Sequence, residues 1–175
     1  MNFTTWYFPL FFLTVWSVYW LLGRNMRQQN VWLTCASYVF YGAWDWRFLF
    51  LLWISTIVDF FVAGRIERSD SPSHRRNWLL VSIGSNLGIL GMFKYFNFFV
   101  TSAAALAESV GIPWNPVLWD IVLPVGISFY TFQTLSYTID IYRGSIAPCK
   151  RLKDFALYVA FFPQLVAGPI ERGTR

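Results

Sequence analysis

The sequence predicts an all-α integral membrane protein, with about five to six transmembrane or re-entrant helices, several of them short or broken by Pro and Gly. Hydrophobic residues make up 56% of the 175 residues and charged residues only 13%, against about 25% charged residues in soluble domains. Aromatic residues reach 21%, which excludes a disordered chain and is typical of the Trp and Tyr belts at membrane interfaces. Long apolar runs alternate with basic segments, as in a polytopic protein.

The first three apolar runs predict one span and a hairpin. A span needs about 20 apolar residues, and residues 3–22 meet this without a charge. No basic segment precedes this run, so we expect a retained span and not a cleaved signal peptide. Two shorter runs, 31–44 and 48–63, flank the triplet at 45–47. They predict a hairpin of short, tilted or re-entrant helices that turns at an interface.

Three further runs complete the predicted helices. Residues 78–100 are interrupted only by Lys94, and residues 120–142 carry a Pro and a Gly near their start. Residues 155–170 carry two Pro and a Gly near their end. Pro removes an amide donor and Gly loosens a helix, so the last two runs predict broken helices.

The basic residues predict the orientation of the chain. Three segments are rich in Lys and Arg, namely residues 23–30, 64–77 and 143–154. The positive-inside rule places them in the cytoplasm and places the N-terminus, the 45–47 turn and residues 101–119 outside. These segments account for the net charge of +5, so we predict contacts with membrane lipids and no nucleic-acid partner. A landing site for an acidic acyl donor is the alternative interpretation of the same segments.

Three charged residues fall inside apolar runs, where a charge is costly. Lys94 is expected to extend its side chain outward to the interface. Asp59 and Asp140 lie towards the cytoplasmic ends of their runs, so Arg65 or Arg143 could pair with either. Asp140 and Arg143 are three residues apart and share a helix face. The pairs either order the helices or form a polar cytoplasmic entrance for a charged substrate.

Two dense motifs place Pro and Gly beside polar side chains at membrane depth. They are residues 123–133 (LPVGISFYTFQ) and residues 161–172 (FFPQLVAGPIER). Backbone groups freed by such breaks must be satisfied within protein or at a water-filled cavity. The candidates to satisfy them are Ser128, Thr131, Gln133 and Gln164. Broken helices commonly line substrate paths, so the motifs indicate a transporter, a channel or an intramembrane enzyme, or else a kinked structural helix.

No catalytic set can be assembled from the sequence itself. The single histidine, His74, lies in a predicted loop, so no nucleophile–His–acid set exists. Cys35 and Cys149 have no metal-ligand spacing and are not expected to form a disulfide. We therefore predict no metal site and no bound cofactor.

The motifs resemble the membrane-bound O-acyltransferase family, in particular its alginate O-acetylation branch. The stretches that carry the resemblance occur in the family's order and cover nearly the whole chain; they are residues 36–41, 91–98, 123–133, 139–144 and 161–172. The last stretch, a Phe-Pro-x-x-x-x-Gly-Pro run, is the most specific.

The resemblance implies an enzyme of the bacterial inner membrane that transfers an acyl group, most simply acetyl, to hydroxyls of an extracytoplasmic polysaccharide such as alginate. The donor would be acetyl-CoA or another thioester on the cytoplasmic side, and envelope O-acetylation proteins are the expected partners. The family's catalytic histidine lies in a later apolar segment, beyond Arg175. Residues 1–175 are therefore expected to be the N-terminal part of a longer domain, without a catalytic residue and inactive alone.

The same resemblance places a group of residues in the wall of a substrate tunnel. They are Pro163, Gln164, Gly168 and Pro169 of the family motif, together with Gln133, Asp140 and Arg143. The alternative is a non-enzymatic polytopic membrane subunit or a transporter half. A reading frame that continues into an intramembrane histidine favours the enzyme.

Overall fold

The computed structural model describes residues 6–23, 25–120, 124 and 126–168, and these residues form helices without a strand. The predicted all-α class is therefore confirmed. The elements in chain order are α1 (Tyr7–Leu21), α2 (Met26–Asp45), α3 (Arg47–Arg68), α4 (Pro72–Leu90), a π-helical segment (Gly91–Tyr95), α5 (Phe96–Ser109), α6 (Ile127–Tyr142), α7 (Leu152–Ala160) and α8 (Phe162–Ala167).

Two helices of the described residues are long and apolar enough to cross a bilayer. One is α3, with 22 residues, and the other is the continuous 38-residue helix from Pro72 to Ser109. Helix α1 is apolar but has only 15 residues. Length and composition thus indicate two crossing helices in this part of the chain, and the predicted count of five to six stays a prediction.

The predicted hairpin is present, but its arms are not short. Helix α2 has 20 residues and α3 has 22, and the turn between them is at Trp46. Helix ends follow capping and packing as well as hydrophobicity: the side chain of Asn25 accepts from the amide of Gln28 and caps α2 before its apolar run begins. At the turn, Arg47 Nη2 lies 2.6 Å from Asp45 Oδ2. The hydrogen bond from the Arg47 side chain lowers the pKa of the Asp45 carboxyl below its ordinary value.

The predicted span at 120–142 is helical only from Ile127 onward. Gly126 has a φ of +76°, in the left-handed region that ends or precedes a helix and favours glycine. Before it, the side-chain amide of Asn97 donates to the carbonyl of Trp119 at 2.7 Å and its Oδ1 accepts from the amide of Trp119 at 3.1 Å. Asn97 thereby ties the segment before α6 to α5.

The main core lies where α3, α4 and α6 pack together, with α7 against α2 and α3. Large apolar side chains such as Leu52, Ile66, Tyr130 and Phe155 are at most 1% exposed there. A smaller cluster joins α1, α2 and α8. The bundle therefore holds α6 and α7 from several sides.

The three basic segments meet at one end of this bundle. Asn30 Nδ2 donates to Asp154 Oδ1 at 3.2 Å, which joins the first segment to the third. Arg75 Nη2 donates to the carbonyl of Tyr142 at 2.7 Å, which joins the second segment to the end of α6. The sequence predicts helices that run alternately in opposite directions, so the three basic segments are expected at the same end of the bundle. This expectation is the same for either orientation of the chain in the membrane.

Candidate functional site

The final apolar run is broken between α7 and α8, as the sequence predicts. Helix α7 ends at Ala160, Phe161 has a ψ of 108°, and α8 begins at Phe162. Pro163 lies in the first turn of α8, where its missing amide costs no helical hydrogen bond. The break is thus encoded by the Phe-Pro pair of the motif.

Two neighbouring helices satisfy the backbone groups freed by this break. In a continuous helix the amide of Phe162 would donate to the carbonyl of Tyr158. Here that amide donates to Ser37 Oγ of α2 at 3.2 Å, and the Tyr158 carbonyl accepts from Gln133 Nε2 of α6 at 2.8 Å. Ser37 and Gln133 are at most 1% exposed. Gln133 therefore satisfies a freed backbone group, as expected of it, and its place in the wall of a substrate tunnel stays a prediction. Ser37, which satisfies the other group, was not among the candidates.

Ser37 carried a weaker signal in the sequence. It lies in the 36–41 stretch, one of those that carry the family resemblance. It is a small polar residue inside an apolar run, which is typical of close helix contacts within membranes. Its hydroxyl also donates to the carbonyl of Leu33 at 2.7 Å, a bond that a serine within any helix can make.

The end of the motif depends on a glycine. The amide of Gly168 donates to the carbonyl of Gln164 at 2.9 Å. A Cβ placed at Gly168 would lie 2.7 Å from both Cα and Cγ of Gln164, closer than a side chain tolerates. Gly168 and Gln164 are thus brought together, while Pro169 lies outside the described residues.

An apolar cavity lies beside this motif. It has a volume of about 270 Å³ and lies between α1, α2 and the start of α8. Its lining includes Phe12, Val15, Trp16, Leu33 and Pro163. Phe162 also lines it, and the centroid of its ring lies 5.4 Å from that of Phe11 and 5.2 Å from that of Phe40. The motif therefore borders a space that suits an apolar group.

A second polar group lies inside the bundle, around Asp59. This residue is 0% exposed. Its carboxylate accepts from Ser82 Oγ at 2.6 Å and from Asn86 Nδ2 at 2.8 and 3.0 Å. Asn86 Oδ1 in turn accepts from Ser55 Oγ at 2.9 Å and from Thr134 Oγ1 at 3.2 Å. We call these five residues the Asp59 cluster.

The expectation that Arg65 or Arg143 pairs with Asp59 is wrong. The ion pair found among the described residues joins Arg47 to Asp45, and neutral donors surround Asp59 instead. A carboxylate within a helix bundle can be satisfied by hydrogen-bond donors in place of a cation. Arg65 instead places its guanidinium 5.6 Å from the ring centroid of Trp78.

The predicted pair of Asp140 and Arg143 is also not formed. Asp140 Oδ2 is buried without a hydrogen-bond partner, and Arg143, at the end of α6, is exposed. Helical spacing permits such a pair but does not enforce it, since water solvates an exposed guanidinium well. Arg75 covers the end of α6 instead, through its bond to Tyr142, because the last carbonyls of a helix favour a cation.

The predicted site residues therefore fall into two places. Gln133 reaches the α7–α8 break with the Pro163 motif, whereas Asp140 and Arg143 lie two to three turns further along α6. Of the other candidate residues, Ser128 Oγ accepts from Lys94 Nζ at 2.9 Å, and Thr131 Oγ1 is buried without a partner. Lys94 is exposed, and it belongs to the π-helical segment, a feature often found at functional positions.

Relatives are found among curated proteins. The chain is 40% identical over 177 residues to a probable alginate O-acetylase of Pseudomonas putida, covering 98% of this chain and 35% of that protein. It is 41% identical over 175 residues to the one of Pseudomonas aeruginosa, covering 98% and 33%. It is 31% identical over 172 residues to a peptidoglycan O-acetyltransferase of Helicobacter pylori, covering 85% and 32%. The chain thus spans about a third of the length of these relatives. No protein-family model and no solved structure matches it.

Proposed function

Because the chain belongs to the membrane-bound O-acyltransferase family, in its alginate O-acetylase branch, we propose that it forms part of an enzyme that transfers acetyl groups to hydroxyls of an extracytoplasmic polysaccharide. The observation that carries this proposal is the identity of about 40% across 98% of the chain to alginate O-acetylases. The peptidoglycan O-acetyltransferase relative acts on a different polymer by the same kind of transfer. The reaction type is therefore the shared property.

The geometry supports a role for this chain in the wall of the reaction path. An acceptor hydroxyl attacks the carbonyl of the acetyl thioester while a general base takes the hydroxyl proton; the carbon–sulfur bond then breaks, and the base returns the proton to the leaving thiolate. Water must be kept from the thioester during this step. The α7–α8 break, held by Ser37 and Gln133, and the apolar cavity of about 270 Å³ beside Pro163 would contribute an apolar part of the wall of such a path. The base is proposed to be a histidine of a segment beyond residue 175.

The end that carries the three basic segments would face the cytoplasm of a bacterial cell and receive acetyl-CoA or another thioester. The N-terminus would be extracytoplasmic in the inner membrane, and envelope O-acetylation proteins would act as partners. Alginate is the first candidate acceptor, and peptidoglycan is the second because of the relative at 31% identity.

Deletion of the gene in its source organism tests this function. Acetyl esters would be released by mild alkali from each isolated envelope polysaccharide and quantified. We expect one polymer to lose its acetyl esters and the intact gene to restore them. Unchanged acetyl content in every envelope polysaccharide would refute the proposal.

Reconstitution distinguishes an enzyme from a non-enzymatic subunit. The full-length protein, purified into vesicles, would receive acetyl-CoA and the polymer identified by the deletion, with and without envelope fractions. Transfer by the full-length protein with these fractions, and none by residues 1–175 alone, is the expected result. If envelope fractions acetylated the polymer in the absence of this protein, the result would indicate that the protein is a non-enzymatic subunit or a transporter half.

A further inference from the structure

Two adjoining cavities open at the end of the bundle that carries the basic segments. One, of about 450 Å³, lies between α3 and residues 148–150. The other, of about 580 Å³, lies between the end of α3 and the start of α4. Arg65 and Arg68 line both cavities. These two arginines, from the last turn of α3, thus form a shared rim.

The rim is cationic. Lys150 also lines the first cavity, and Glu67 is the acidic residue in its lining. The ion pair among the described residues joins Arg47 and Asp45, at the other end of α3, and does not involve Arg65 or Arg68. The rim cations therefore remain available to an anionic ligand.

One arginine of the rim is held in position by an aromatic ring. The guanidinium of Arg65 lies 5.6 Å from the centroid of the Trp78 ring, a cation–π contact that orients the planar group. The 19-residue helix α4 begins at Pro72, beside the second cavity, and the dipole of a helix adds partial positive charge at its start. Arginine's planar fork matches the oxygens of a phosphate better than a single ammonium does.

The first cavity also has an apolar wall. Phe60 and Phe61 line it, about one helical turn deeper along α3 than Gly64 and Arg65. The Phe60 ring packs against Phe155 of α7, with centroids 6.1 Å apart. A cationic rim above aromatic side chains suits a molecule that carries a phosphate on an apolar part, because each part then meets a matching surface.

We propose that Arg65 and Arg68 bind the phosphate group of an amphipathic ligand whose apolar part lies along Phe60 and Phe61. Two sources share this chemistry. One is the headgroup of an anionic phospholipid, with its acyl chain along the phenylalanines. The other is a phosphate-bearing thioester donor such as acetyl-CoA, and this source rests on the proposed function.

Binding measurements with two probes test the proposal. The full-length protein would be extracted from vesicles of phosphatidylcholine with a quarter of phosphatidylglycerol, and the retained phosphatidylglycerol counted by native mass spectrometry. Separately, coenzyme A would be titrated into the protein in discs of pure phosphatidylcholine. The test variant is R65Q/R68Q. The matched control is R76Q/R151Q, which removes two exposed arginines near the same end that line neither cavity.

We expect R65Q/R68Q to weaken binding of one probe by about tenfold or more, as loss of a charge-assisted hydrogen bond does, and the control to change it less than twofold. Loss of phosphatidylglycerol identifies a lipid site, and loss of coenzyme A identifies a donor site. The single variant R68Q leaves the Arg65–Trp78 contact intact and is expected to lose less of the probe binding. It therefore still tests the proposal if the double variant unfolds.

Equal binding of both probes by R65Q/R68Q, R68Q and the control would overturn the proposal. The measurement needs no acceptor and no acetyl transfer. It can therefore fail while the proposed function stands, and it can succeed if that function is wrong.

Discussion

At the residue scale, Asn86 holds the Asp59 cluster together. Its amide donates to both carboxylate oxygens of Asp59, and its Oδ1 accepts from Ser55 and Thr134. It therefore links α3, α4 and α6 through one side chain. Buried polar groups are costly when a partner is lost, because the remaining group keeps its desolvation penalty.

Replacing Asn86 by alanine is expected to lower the free energy of unfolding by about 3 kcal/mol, since it removes donors from a buried carboxylate. Unfolding in mixed detergent micelles, followed by circular dichroism, measures this change. The control is N77A, which makes the same substitution at an exposed position of the same helix. Its effect should stay within about 0.5 kcal/mol. Equal losses in both variants would contradict the role of Asn86.

Gly168 is a second position where a single residue type fits. A Cβ there would lie 2.7 Å from Gln164, so G168A is expected to destabilise the protein by about 2 kcal/mol through overpacking. Gly84 in α4 has no atom within 4 Å of a Cβ placed on it. G84A should therefore be stabilising by about 0.5–1 kcal/mol, because alanine favours helix over glycine. Thermal unfolding of both variants checks that G168A lowers the stability and G84A raises it. A G168A variant as stable as the original protein would contradict the predicted steric clash.

At the scale of the elements, the break between α7 and α8 is held by side chains of other helices. Ser37 Oγ of α2 accepts a hydrogen bond from the amide of Phe162, and Gln133 Nε2 of α6 donates one to the carbonyl of Tyr158. These two bonds replace one bond of a continuous helix. The kink therefore depends on α2 and α6 as much as on Pro163, and the position of α8 follows from that arrangement.

A double-mutant cycle tests this shared role. S37A and Q133A should each cost about 1–2 kcal/mol of unfolding free energy, because each leaves a buried backbone group unpaired. The double variant should differ from the sum by about 0.5 kcal/mol or more, since both bonds act on one break. F132A, at the exposed neighbour of Gln133, serves as control and should be close to neutral. Strict additivity of S37A and Q133A would show that the two bonds act independently.

At the scale of the whole molecule, the basic segments share one end of the helix bundle. Contacts from Asn30 to Asp154 and from Arg75 to Tyr142 join them across the chain. The helix that starts at Pro72 has 38 residues and would be about 57 Å long if straight, longer than a bilayer's apolar core of about 30 Å. Ser109 therefore lies far from the basic end.

Cysteine labelling tests this arrangement in the membrane. In a background with Cys35 and Cys149 replaced by serine, single cysteines would be placed at Ser73, Ser145 and Ser109, which are all exposed. With an impermeant maleimide on spheroplasts, we expect labelling at position 109 and none at 73 or 145 until the membrane is permeabilised. Detergent-solubilised protein, labelled at all three, is the control. Positions 73 and 145 labelled from opposite sides would contradict the shared basic end.

Much of this fold could be predicted from local patterns. The turn at Trp46 and the break before Pro163 follow from residue type and spacing. Residue type also marks Gln133 as a candidate to satisfy a freed backbone group, although its partner, the Tyr158 carbonyl, does not follow from the sequence. The ends of α2 and α6 could not be predicted from hydropathy, since capping sets the first and the left-handed Gly126 sets the second. Helical spacing also could not show that Asp140 and Arg143 do not pair, because the exposure of the Arg143 side chain decides whether such a pair forms.

Hydropathy and composition, by themselves, predicted an apolar, helical chain, and proline and glycine predicted where its helices break; the motifs, and not the composition, carry the resemblance to a family. These properties depend on short stretches of sequence, because periodicity, proline and glycine act locally. Only the tertiary structure decided that Asp59 is satisfied by Asn86 and Ser82 instead of an arginine, and that Ser37 takes the Phe162 amide. The physical reason is that a buried polar group takes its partner from whichever helix packs against it, and packing is set by the whole bundle.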